Sequence, residues 1–74
     1  MKTDRTLEAM SSGETALVLA VQGGLKVRAR LESLGIMPGV QVDVLNNGRG
    51  PLIISLGEGR LMLERGVAGK VLVA

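Results

Sequence analysis

Ser11, Ser12, Ser33 and Ser55 are the serine hydroxyls available as nucleophiles. With no histidine and no cysteine in the chain, each would need a lysine or a carboxylate as its base. None of the four lies in a recognisable motif of that kind, and serines in these settings serve turns and caps. The carboxylates are Asp4, Glu8, Glu14, Glu32, Asp43, Glu58 and Glu64. Several together could hold a hard divalent cation, but their spacing contains no clustered acidic loop and no paired acids. Thiolate and imidazole ligation is excluded outright. We therefore expect no catalytic residue, no dedicated metal site and no cofactor.

Two glycine-rich segments, Gly48-Arg49-Gly50 and Gly57-Glu58-Gly59, match neither a Walker loop nor a G-x-G-x-x-G that opens a helix, and they read as turns. Lys26, Arg28 and Arg30 form the one basic cluster, and Arg28 could pair with Glu32 one helical turn later. With no aromatic residue to stack on bases, the cluster is too thin for a nucleic-acid surface. As an interface it is more credible, because arginine is favoured there. Met37, Ile53 and Met62 are the apolar residues expected outside the core, and a patch of such residues marks a partner surface. The candidate partner-binding residues are thus Arg28, Arg30, Met37, Ile53 and Met62.

The scaffold must be small. A chain of 74 residues buries about 60–65% of its unfolded surface. Its composition compensates with 46% hydrophobic residues, all of them aliphatic or methionine. A net charge of +2 is far from that of a nucleic-acid binder, which counts against a small RNA-binding barrel. No apolar run approaches the roughly 20 residues of a membrane span, and Met1 to Met10 carries Lys2, Asp4, Arg5 and Glu8 rather than an apolar signal core. The expectation is one domain over residues 1–74, cytoplasmic and not embedded in a membrane.

Thr6 is placed to cap a single turn that aligns Leu7 with Met10. Thr15 to Val21, between glycines, reads as the first strand. Val27, Leu31 and Leu34 share one face of a helix over Leu25 to Leu34, whose start at Gly23-Gly24 lacks a side-chain cap. Gly35 is the left-handed residue that ends it, pairing Leu31 with Ile36 in a Schellman stop. Pro38-Gly39 makes the following turn. Val40 to Val44 alternates as a strand, residues 46–51 form a loop, and Val71 to Val73 is a last strand.

Leu52 to Leu56 and Arg60 to Glu64 form a hairpin. A two-residue turn at Glu58-Gly59 pairs Leu56 with Leu61 and Ile54 with Leu63. That gathers Leu52, Ile54, Leu56, Leu61 and Leu63 on one face and sends Ile53, Ser55, Met62 and Glu64 outward. Five short strands and one inserted helix cannot build a two-faced sheet with a large core. The fold expected is mainly β, a small, partly open barrel of about five strands.

With these elements placed, the chain resembles the FeoA family, the small cytoplasmic component of bacterial ferrous-iron uptake systems. The resemblance runs from Leu7 to Val73 and begins with Leu7 and Gly13-Glu14. It centres on Arg30-Leu31, Leu34-Gly35-Ile36 and Pro38-Gly39. It continues through the valines of the next strand, Gly50-Pro51, Leu52, Ile54, Leu56, Leu61, Leu63 and Ala68 to Val71 and Val73. Departures occur at Glu64, where the family commonly has arginine, and at Gly66, Val67 and Gly69, which argue against a full helical turn before Ala68. Leu17 and Ile53 stand where the family often has polar residues, which enlarges the apolar surface and suggests self-association into a homo-oligomer.

The resemblance implies an SH3-like barrel and a role as an accessory to FeoB, the membrane protein with a cytoplasmic GTPase domain that moves Fe²⁺ inward. FeoA would bind FeoB and modulate its assembly or nucleotide turnover, without being an enzyme. The alternative is an SH3-like regulatory domain related to the C-terminal domain of metal-dependent transcriptional repressors. The start at Met1, with no DNA-binding helices upstream, favours the accessory protein.

Overall fold

The computed structural model describes residues 5–74. Lys2 and Asp4, part of the charged amino-terminal segment, lie outside the described residues. Six antiparallel strands are present: β1 (Arg5–Thr6), β2 (Thr15–Val21), β3 (Gln41–Asn46), β4 (Leu52–Ser55), β5 (Leu61–Leu63) and β6 (Val71–Val73). Two helices interrupt them, α1 (Leu25–Ser33) and the four-residue α2 (Arg65–Ala68), and a 3-10 turn spans Leu7–Ala9. The strand order is β1-β6-β2-β3-β4-β5. β2 is the shared strand, pairing with β3 over its first half and with β6 over its second, with a bulge between Val18 and Ala20. A bulge sharpens twist and bends the strand, so one strand serves both halves of the sheet.

The core follows from period-two alternation. Ala16 and Val18 of β2, Val42 and Val44 of β3, Leu52 and Ile54 of β4 and Val71 and Val73 of β6 all point inward and are buried. Leu7, Met10, Leu31, Ile36, Leu63 and Ala68 complete the buried core. Val27 and Leu34 pack against that cluster beside Leu31, as the helical face required. β2, β6 and the start of α1 at Leu25 coincide with the expected boundaries, and α1 begins on Gly24 with no side-chain cap.

Four expectations are corrected. A sixth strand, β1, pairs Arg5 with Val73 and Thr6 with Leu72. Thr6 occupies the N-cap position of the 3-10 turn in an extended conformation but makes no side-chain cap bond. The hairpin pairs Ile54 with Leu61 and Leu52 with Leu63, two residues from the two-residue-turn register. The inward and outward faces survive that shift, but the turn is a four-residue loop from Leu56 to Gly59, with positive φ at Gly57 and Gly59. Leu56 leaves the sheet and packs, half-buried, against the core, its Cδ1 lying 3.3 Å from where a Cβ on Gly35 would stand. Finally, α2 does form a helical turn before Ala68. Tertiary anchoring overrides the low propensity of Gly66, since Ala68 is fully buried and Arg65 donates hydrogen bonds to Asn47 Oδ1 and to the Gly48 and Gly50 carbonyls.

β1 is tied to the next turn through Glu14, whose carboxylate accepts from the Ser11 amide at 2.7 Å and from the Arg5 guanidinium at 3.0 Å. The Ser11 hydrogen bond, then that from Arg5, hold its pKa below the usual carboxylate range. A lowered folded-state pKa contributes stability that is fully present above the unfolded value and is lost as pH falls through the folded one. We expect the stability difference between wild type and Glu14→Gln, read from thermal melts over an acid pH series, to shrink as the pH drops through that range. A difference independent of pH would contradict the pairing.

Candidate functional site

The stop of α1 builds one wall of a concave feature of the surface. Leu34 is the C-cap, and Gly35 follows at φ 94°. The Gly35 amide donates to the Glu32 carbonyl and the Ile36 amide to the Leu31 carbonyl, each at 2.9 Å. That is the full Schellman pair of bonds. The chain then enters a type II turn, with Pro38 at its second position, Gly39 at φ 93°, and the Val40 amide donating to the Met37 carbonyl at 3.1 Å. Gly39 N–H donates to the Val18 carbonyl and the Val18 N–H to the Val40 carbonyl, both at 2.8 Å, which docks the turn on β2.

Between that turn and α1 lies a groove of about 280 Å³, lined by Val21, Leu25, Arg28, Ala29, Glu32, Ile36, Met37 and Pro38. Buried Ile36 contributes to its apolar lining, whereas Leu25 is 83% exposed. Arg28 and Glu32 supply one cation and one anion. The i, i+4 spacing would allow them to pair, but they form no ion pair with each other; the pairs among the described residues are Arg5–Glu14 and Arg65–Glu8. The arginine-before-glutamate order is the weaker one on a helix, and both side chains remain available to a ligand. An apolar cleft carrying two unpaired charges suits an apolar side chain on a partner segment, oriented by polar contacts.

The five candidate residues fall in three places. Arg28 and Met37 line the groove. Arg30 is exposed on α1, about 200° round the helix from Arg28 at 3.6 residues per turn, and does not line the groove. Ile53 and Met62 face each other across β4 and β5 on the outer surface, Ile53 half-buried and Met62 70% exposed. Leu45 is exposed at the β3 bulge beside Ile53.

Leu25 and Val21 were missed as groove residues. An exposed leucine opening an uncapped helix was the available signal for the first. The polar groups found elsewhere serve the scaffold: Ser33 Oγ donates to the Arg30 carbonyl, while Ser12 and Ser55 Oγ accept from the Asn47 and Gly57 amides. Among the described residues no three carboxylates converge on one point, and no helix is long and apolar enough to cross a membrane.

The family model of the FeoA domain matches residues 5–74. An Fe(2+) transport protein A of Methanocaldococcus jannaschii is 36% identical over 61 residues, covering 82% of this chain and 74% of that protein. A crystal structure of an iron uptake regulatory protein, FeoA, superposes with a TM-score of 0.89 at 36% identity, covering 96% of each chain. A FeoA of Stenotrophomonas maltophilia, crystallised with zinc and described as a procaryotic SH3 domain protein, gives 0.84 at 28% identity, covering 95% of this chain and 89% of its own. A manganese-dependent transcriptional repressor gives 0.88 at 19% identity, covering all of this chain and 42% of that one, a likeness of fold alone.

Proposed function

The chain belongs to the FeoA family of ferrous-iron transport, and on that premise we propose that it is a non-catalytic accessory protein that docks on FeoB. The docking surface is the groove beside α1, and its occupant is the cytoplasmic part of the FeoB membrane GTPase. Binding modulates assembly of the transporter or its nucleotide turnover. One observation carries the reading. The segment on which the family resemblance centres, Leu34-Gly35-Ile36 with Pro38-Gly39, folds the chain back beside α1 and contributes Ile36 and Pro38 to the lining of the groove. Arg28 and Glu32 place one charge of each sign on the groove lining, so the favoured partner segment presents an apolar anchor flanked by one acidic and one basic residue.

One FeoA-like domain over residues 1–74, working in the cytoplasm as a protein-binding module without nucleic acid, completes the reading. A pull-down with the cognate FeoB cytoplasmic domain, followed by GTP turnover and Fe²⁺ uptake in a deletion strain, tests it. Binding and restored uptake are expected; no binding together with unchanged uptake would sink the proposal. Arg28→Glu and Met37→Asp, both at the surface, should each weaken FeoB binding by about tenfold or more while leaving the melting temperature near wild type.

The second reading is a regulatory domain of a metal-dependent repressor, supported by the shared fold. A native reading frame that continues upstream into a helix-turn-helix region would favour it.

A further inference from the structure

β5 and its two neighbours read Arg60-Leu61-Met62-Leu63-Glu64, a segment that maps onto itself end for end with its charges exchanged. β5 stands last in the strand order and pairs with β4 alone. Among the described residues no other backbone hydrogen bond reaches Leu61, Met62 or Leu63. Its outer edge is therefore an open template for another strand. Glu64 is still extended, at φ −61° and ψ 144°, so pairing can run one residue past the strand.

We propose that this edge pairs with a second copy of the chain, antiparallel about a two-fold axis through Met62. In that register Met62 faces Met62 of the second copy, and Leu61 faces Leu63. Arg60 faces Glu64 and Glu64 faces Arg60, so one symmetry operation forms both ion pairs. A parallel pairing sets Arg60 beside Arg60 and Glu64 beside Glu64, which repel. Sliding the antiparallel register by two residues in either direction loses both opposite-charge pairs.

The outward row of Leu45, Ile53 and Met62 then continues into the same row of the second copy, forming one apolar stripe across six strands. Charged residues beside an edge strand keep other strands away, and here their opposite signs admit the chain's own copy. The contact is small, well under about 1,000 Å² in total, which places it among weak, concentration-dependent associations. It is independent of the groove beside α1, and FeoB binding plays no part in it.

Sedimentation equilibrium of the full chain over a wide concentration range, at low and high salt, tests the proposal. A monomer–dimer equilibrium that weakens with salt is expected. Arg60→Glu and Glu64→Arg each replace two attractions by two repulsions and should weaken dimerisation by about tenfold or more. The double variant R60E/E64R restores both pairs and should return to within a few-fold of wild type, which shows that charge matching and not a folding defect is being read. A chain monomeric at every concentration overturns the proposal. So does a dimer indifferent to the single reversals, or one that the double variant fails to restore.

Discussion

Gly35→Val should lower the stability of the domain by about 2–4 kcal/mol, because three effects meet at that residue. The backbone sits at φ 94°, a conformation that costs a non-glycine residue about 1–3 kcal/mol and a β-branched one more. The new Cβ would stand 3.3 Å from Leu56 Cδ1, so the half-buried Leu56 side chain must shift by a few tenths of an ångström. Relieving either strain disturbs the amides of Gly35 and Ile36, which satisfy the carbonyls of Glu32 and Leu31. For a domain of this size the melting temperature should fall by roughly 10–20 °C. An unchanged melting temperature would refute the capping argument, and with it the geometry of the groove that the cap creates.

Asn47→Ala is expected to cost about 2–3 kcal/mol through loss of polar contacts alone. The Asn47 amide nitrogen donates to the Glu8 carbonyl at 2.8 Å and to the Met10 carbonyl, and its Oδ1 accepts from Arg65 Nη1 at 2.8 Å. Glu8 Oε2 lies 3.7 Å from Arg65 Nε, which closes the ring. One half-buried side chain thus joins the 3-10 turn, the loop after β3 and the start of α2. Alanine strands two part-buried carbonyls and removes one of the three acceptors of Arg65 Nη1. Chemical denaturation should show a lower midpoint with an unchanged slope, and an unaltered midpoint would return Asn47 to the role of a simple turn residue.

Those two positions show what a sequence can and cannot convey. Gly35 was legible because a helix stop is a local event, written in Leu31, Leu34, Gly35 and Ile36 and punctuated by Pro38-Gly39. Alternation likewise placed Val42, Val44, Leu52, Ile54 and Leu63 on the inner face. Asn47 and Arg65 were invisible as a pair because the partners of the Asn47 side-chain amide lie 18 to 39 residues away, and an asparagine before a glycine looks like a turn whatever else it does. Period two also fixes a face without fixing a register. Loops of two and four residues give the same parity, and only the packing of Leu56 beneath the helix stop separates them. β1 has two residues, too few to show any period.

The candidate site was half legible for the same reason. Arg28 and Met37 meet because the Schellman stop and the turn after it fold the chain back beside α1. Arg30, two residues from Arg28, turns away from the groove. The parity of the hairpin puts Ile53 and Met62 on one outward face of adjacent strands, and the two-residue shift in register keeps that face and brings the two residues directly opposite each other.

The central claim is that the groove beside α1 is where FeoB docks. Amide chemical-shift mapping of the isotope-labelled chain during titration with the cognate FeoB cytoplasmic domain tests it directly. Saturable shifts or line broadening are expected at Val21, Leu25, Arg28, Ala29, Glu32, Ile36 and Met37, with Arg30 and the β5 edge much less affected. Perturbations centred on β5, or none at all at saturating FeoB, would contradict it.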